Sequence, residues 1–276
     1  MPILLRTDVT SSKGISALSQ TQLALSKSIG RISTGLKHAG FSDGASEMAF
    51  GQKLRADQIS LKAAMANTNH GMSYLSVGED ALNQVYSALT KMREIAVSAT
   101  NGVTTADDRA TYNTEFGALR TEVSRILGGT SFNGNQVISS SASASLVLQV
   151  GFDATNVLTL KISTFSASLG SLGVTAGLNV TTTSNASSAI TQVDSALHTI
   201  NAQRSKLGVF QTKLENVLSL AQAEHEAFST AISSILDVDY AEESASMTRF
   251  QIMQQAGVAA LGQARSIPQS VLSLLG

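Results

Sequence analysis

Residues 190–235 read ITQVDSALHTINAQRSKLGVFQTKLENVLSLAQAEHEAFSTAISSI. Alternating steps of three and four pick out Ile190, Val193, Leu197, Ile200, Arg204, Leu207, Gln211, Leu214, Leu218, Ala221, His225, Phe228, Ile232 and Ile235, of which only Arg204, Gln211 and His225 are not apolar. A mean step of 3.5 residues keeps one stripe of a helix against a neighbour, so the segment predicts a helix of about 69 Å supercoiling left-handed along a second one. That neighbour lies upstream. Leu61, Met65, Thr68, Met72, Leu75, Glu79, Leu82, Tyr86, Leu89, Met92, Ala96 and Ala99 keep nearly the same rhythm, as do Ile15, Leu18, Gln22, Leu25, Ile29, Ile32 and Leu36. The three polar positions on the stripe are expected to fix helix register.

The 276 residues are 43% apolar, enough for real cores, yet only 14% are charged. An ordinary soluble domain carries about 25%. A surface this poor in charge is weakly protected against association, which implies that copies or partners cover much of it. The net charge of -1 and the lack of a basic run argue against nucleic acid. With no cysteine there is no disulfide framework and no thiolate metal site. His38, His70, His198 and His225 are scattered, so neither a metal nor a cofactor is expected. No nucleophile, base and orienter form a cluster, which points away from an enzyme. No membrane span is expected, and Ile3, Leu4 and Leu5 before Arg6 are too short for a secretory signal core.

Proline occurs only at Pro2 and Pro268, so long helices are permitted between them. The first is expected from Val9 to Leu36 and the second from just after Asp43 to Thr100, stopped by Asn101-Gly102. Thr105 and Asp108 have the spacing of a capping box and open a third helix that ends at Gly128-Gly129. The period then changes to two: Leu146, Leu148 and Val150, then Leu158, Leu160 and Ile162, predict a β-hairpin turning at Asp153 to Asn156. A Gly/Ser/Thr-rich connection follows to about Ser188. Asp237, Asp239, Glu242 and Glu243 read as first-turn acids of the last helix. That helix is apolar on every side beyond Phe250 and needs several neighbours. The fold class expected is mainly α: long antiparallel rods in a coiled-coil-like bundle with a small central β-hairpin. Both ends are expected to be disordered in the monomer and to fold on assembly.

These features converge with a set of motifs: Ser28-Ile29-Gly30-Arg31-Ile32-Ser33-Thr34-Gly35-Leu36, Glu79-Asp80-Ala81-Leu82, Met92-Arg93-Glu94-Ile95-Ala96-Val97 and Thr130-Ser131-Phe132-Asn133-Gly134. Further along come Gln149-Val150-Gly151, Arg204-Ser205-Lys206-Leu207-Gly208, Asp237-Val238-Asp239-Tyr240-Ala241-Glu242, Gln254-Gln255-Ala256-Gly257 and Pro268-Gln269-Ser270-Val271-Leu272. In this order the chain resembles bacterial flagellin, in a minimal form without outer domains. The resemblance implies an inner-tube helix at 1–44, long outer-tube helices at 45–136, a hairpin and connection at 137–187, a C-terminal rod at 188–235 and a second inner-tube helix at 236–276.

It further implies a subunit exported unfolded through the flagellar type III export apparatus with a chaperone. The subunit would polymerise outside the cell into the filament that drives swimming and meet hook-associated and cap proteins there. Self-assembly would rest on Leu18, Leu25, Ile29, Ile32, Leu36, Phe250, Ile252, Met253, Val258, Leu261, Val271, Leu272 and Leu275. Lys91, Ile95 and Glu115 would stand where innate receptors read the family, Lys91 without the planar donor fork of the usual arginine. Where the family has Ile-Asn-Ser-Ala-Lys-Asp-Asp, this chain has His38 to Gly44, one carboxylate and one amine fewer, so the resemblance does not by itself imply the family's polar joint here. A hook-filament junction protein is the alternative within the superfamily, and a cytoplasmic helical signalling rod the alternative outside it.

Overall fold

The computed structural model describes residues 9–38, 40–138, 145–161 and 168–275; side chains at 9–10, 41, 160–161 and 264–275 are outside the description. In chain order the elements are α1 (Val9–Thr34), a 3-10 turn (Phe41–Asp43), α2 (Ala45–Thr100), α3 (Ala106–Gly129), β1 (Ser131–Phe132), β2 (Asn135–Gln136), β3 (Ser145–Gln149), β4 (Val157–Lys161), α4 (Thr183–Leu236) and α5 (Tyr240–Leu275). The chain forms two compact units, Gln58–His225 and Met1–Asp57 with Glu226–Gly276.

In the unit Gln58–His225, the facing parts of α2 and α4 run antiparallel and are pinned by three polar links. Gln211 donates to Glu79 at 2.9 Å, the Arg204 guanidinium lies 5.8 Å from the centre of the Tyr86 ring, and Arg93 Nε donates to Asp194 at 2.6 Å. Sliding one helix by a heptad would keep apolar facing apolar but break all three links. Arg204 and Gln211 therefore act on register, as the stripe predicts. Leu75, Leu82, Leu89, Met92, Ile200, Leu207 and Leu214 fill the seam, and Phe116, Val123 and Leu127 of α3 close it.

The expected capping box opens α3, with Thr105 Oγ1 accepting from Asp108 N and the Asp108 carboxylate accepting from Thr105 N, each at 3.2 Å. The expected hairpin is β3 with β4, pairing Leu146 with Leu160 and Leu148 with Leu158; Ile162 lies outside the described residues. Leu146, Leu148 and Leu158 pack on the helices while Val147 is exposed, as period two requires. The hairpin comes so close to α2 at Gly71 that a Cβ there would sit 2.4 Å from Leu148 Cδ1. A glycine inside a helix weakens it by about 1 kcal/mol relative to alanine, and here it makes room for the strand.

Four details depart from the sequence reading. α1 stops at Thr34, before Leu36, because Gly35 turns out of the helix at φ 71°. A second hairpin, β1 with β2, turns on Asn133 and Gly134, both at positive φ; Asn-Gly is the hairpin signal that the reading passed over. The described part of the serine- and threonine-rich connection, from 168, is packed, and it ends before Ser188. Leu172, Val174, Leu178 and Val180 are buried, Arg120 donates to the Ala176 and Leu178 carbonyls at 2.9 and 3.1 Å, and α4 already begins at Thr183, where Thr182 Oγ1 accepts from Asn185 N. Finally, Asp237 and Asp239 precede α5. Asp239 caps it, accepting from Ala241 N at 2.9 Å, while Glu242 and Glu243 are its first-turn acids.

Candidate functional site

The second unit is built on α1 and α5, each nearly devoid of charge in its outer half. They pack antiparallel. Ser28 Oγ donates to the Glu243 carbonyl at 3.3 Å, Gln254 donates to Gln22, Leu18 Cδ1 lies at van der Waals distance from where a Gly257 Cβ would be, and Gly14 is overlain by Leu261. Small residues at 14 and 257 allow that approach. Within the pair Leu25 is buried, and Leu18, Ile32, Phe250 and Leu261 are half-buried.

One neighbour covers only one face. Ile29, Met253, Val258 and Ile252 remain exposed, Ile252 at 60%. Ile15, Leu23 and Tyr240, which the site reading left out, are exposed as well. Leu23 lies off the three-four stripe. It could have been found as an apolar residue at a position where a solvated helix would carry charge. Val271, Leu272 and Leu275 belong to α5, but their side chains lie outside the description.

Leu36 belongs to a small cluster with Met48, Leu54, Ile232, Ile235 and Leu236. Two backbone bonds cross beside it, Lys37 N to the Leu236 carbonyl at 2.7 Å and Val238 N to the Gly35 carbonyl at 3.0 Å. A polar joint, which the resemblance left open, is present. Asp43 takes Lys27 Nζ at 2.9 Å and Arg31 Nη2 at 3.1 Å, and Arg31 Nη1 lies 3.7 Å from Glu243. Hydrogen bonds from Lys27 and then Arg31 hold the Asp43 carboxyl below the ordinary carboxylate range. Asp43 reaches both cations because they come from α1, a helical turn apart and on the same face.

In the other unit, Lys91 and Glu115 are exposed, and Lys91 donates to Glu94 at 2.9 Å. Glu94, with a smaller contribution from Glu115, raises the Lys91 ammonium above its ordinary range. Ile95 is 4% exposed and packed in the core, so it offers no surface of its own.

A closed helical unit together with a helix pair left bare on its outer faces defines a structural subunit made for assembly. The comparisons with known proteins give the family. Residues 6–143 match the bacterial flagellin N-terminal helical region and residues 190–275 the bacterial flagellin C-terminal helical region. Flagellin FlaB2 of Treponema pallidum (strain Nichols) is 32% identical over 270 residues, covering 94% of each chain. A flagellin of Halalkalibacterium halodurans is 34% identical over 258 residues, covering 94% of this chain and 93% of that one. A putative flagellar hook-associated protein from Vibrio parahaemolyticus shares the fold, with TM-score 0.60 and 14% identity over 71% of this chain and 100% of that one. The chain belongs to the bacterial flagellin family, and it is a structural subunit of the flagellar filament.

Proposed function

We propose that this flagellin polymerises through α1 and α5, whose bare faces are covered by the same helices of neighbouring copies to form the inner tube, while the unit Gln58–His225 forms the surrounding one. The exposed Leu23, Ile252 and Val258, lying on the stretches 14–26 of α1 and 250–264 of α5 that carry no charge, support this reading. Burying such a side chain is worth about 1.5 to 3 kcal/mol, and one subunit cannot bury them alone. Each copy meets the next through unlike surfaces, so the contact does not close and a helical tube grows.

The same imbalance supports the rest of the reading. The chain travels unfolded through the flagellar export apparatus with a chaperone and assembles outside the cell. There it contacts hook-associated and cap proteins, its ends order on assembly, and its role is structural, without catalysis. Toward innate receptors, the exposed Lys91 and Glu115 make a weakened epitope, because Lys91 replaces a forked donor by a point charge and Ile95 is buried.

Seeded polymerisation viewed by electron microscopy tests the main claim. The full chain should give filaments. Residues 1–249, lacking the outer part of α5, should stay soluble, keep the melting transition of the helical unit and give none. Filaments from the shortened chain would remove α5 from the interface.

A further inference from the structure

We propose that the Asn101-Gly102 turn between α2 and α3 is a self-modifying site, where the Gly102 amide nitrogen closes on the Asn101 side chain, expels ammonia and leaves an aspartyl or isoaspartyl residue. The site lies in the unit Gln58–His225 and is independent of the reading of α1 and α5 as the assembly pair.

Two donors converge on the main-chain carbonyl of Asn101, Arg109 Nη2 at 3.1 Å and Thr104 N at 3.2 Å. Arg109 is half-buried and anchored there, because its Nε also donates to the Ala99 carbonyl at 2.9 Å. The Asn101 carbonyl and the Gly102 nitrogen belong to one peptide group. When that nitrogen loses its proton, the charge spreads onto the carbonyl oxygen, since the two share one resonance system. A fixed guanidinium and an N–H on the oxygen therefore stabilise the attacking anion, as donors in an oxyanion hole do.

The group under attack is prepared as well. Asn101 Oδ1 accepts from Val103 N at 3.3 Å, a bond that folds the side-chain carbonyl back over the following peptide and polarises its carbon. The Gly102 N–H has no partner among the described residues, so no hydrogen bond must break to free it. Asn101, Gly102 and Val103 are exposed, and hydroxide and water reach them. Neither space nor backbone requires glycine at 102: a Cβ there would meet nothing within 4 Å, and its φ is outside the left-handed region. The missing side chain leaves the nitrogen unhindered.

The steps balance without an oxidant or a cofactor. Hydroxide takes the Gly102 N–H proton, the nitrogen bonds to Asn101 Cγ, and the Cγ–Nδ2 bond breaks, Nδ2 leaving as ammonia with a proton from water. The product is a cyclic imide. Water opens it at Cγ to give ordinary aspartate, or at the main-chain carbonyl carbon to give isoaspartate, whose chain runs on through the former side chain. Either way an amide becomes a carboxylate, and isoaspartate adds a backbone carbon to the α2–α3 turn. The share of converted turns thus records the age of the protein.

The chain holds its own control. Asn133-Gly134 is the same pair of residues and is also exposed, but the Asn133 carbonyl takes no donor among the described residues. In the test, the full chain is kept in neutral buffer, folded and in parallel in urea, and the amide-to-acid change at each site is followed by peptide mass spectrometry. In the folded chain Asn101 should convert about tenfold faster than Asn133, and faster than Asn101 itself in urea. In urea the two sites should convert alike. Arg109→Gln, with folding checked by circular dichroism, should slow Asn101 about tenfold, the effect of one charge-assisted hydrogen bond to the anion, and leave Asn133 unchanged. Gly102→Ala, which the turn admits, should slow Asn101 as well without changing the melting temperature. An Asn101 that converts no faster folded than in urea overturns the proposal without the use of any variant. So does an Arg109→Gln chain that converts as fast as wild type or faster, since the turn would then react through looseness rather than through its donors.

Discussion

The two units of this flagellin solve the burial problem differently. In Gln58–His225, three helices, two hairpins and the packed residues 168–182 surround one core, with Phe116, Leu75, Leu82, Leu89 and Leu214 sealed from solvent. In the unit made from the chain ends, Leu25, Met48, Ile232 and Leu236 are buried, while Leu23, Ile29, Ile252 and Val258 are not. Both units are made of long helices. What separates them is the number of neighbours per helix, and an apolar surface left without neighbours in one copy is a surface for another.

Core substitutions test that contrast most severely. Phe116→Ala should cost about 3 to 5 kcal/mol in thermal unfolding of the soluble chain followed by circular dichroism. A cost below 1 kcal/mol would mean the larger unit is not the stable one.

The mirror experiment is Ile252→Ser. Unfolding of the soluble chain should stay within about 0.5 kcal/mol of wild type. The critical concentration for polymerisation should rise about tenfold or more, because the side chain loses 1.5 to 3 kcal/mol of burial only in the assembly. Equal effects on both readouts would erase the distinction between the units.

Gly71→Val asks how tightly the hairpin seals the larger unit. Overpacking against Leu148 should cost about 1 to 3 kcal/mol, with faster hydrogen exchange confined to β3 and β4. Uniform loss of protection would instead place Gly71 in the helix seam.

The smallest effect separates the units by acid. Asp43 is depressed by Lys27 and Arg31, so its stabilisation is present above the ordinary carboxylate range and is lost as pH falls through its lowered value. Asp108 is depressed by its cap bonds to Thr105, so acid should also weaken the start of α3. Asp43→Asn should remove part of the acid sensitivity of filaments, read as turbidity below about pH 4, and leave unfolding of the larger unit unchanged. No change in filament sensitivity would show the Asp43 cluster to be idle.

The seam, the capping box and the β3–β4 hairpin were legible because each rests on a repeat or spacing inside a few residues. The joint was not. Its parts lie at Lys27, Arg31, Asp43 and Glu243, and no local pattern links them. Nor did composition reveal that Leu172, Val174, Leu178 and Val180 are core; scattered among Gly, Ser and Thr they have no period. Ile95 shows the opposite error, since its place in a motif says nothing about which way its side chain faces, and it faces the core.

The sequence by itself determined where the helices run, which face of each is apolar, the flagellin motifs and the surplus of apolar surface at the ends, because periodicity and composition are properties of neighbouring residues. Only the tertiary structure decided that one acid serves two cations at the joint, that the His38 ring fills the gap at Gly44, and which apolar residues of α1 and α5 stay bare. Those outcomes depend on which surfaces meet across hundreds of residues, and burial is a property of the meeting rather than of the residue.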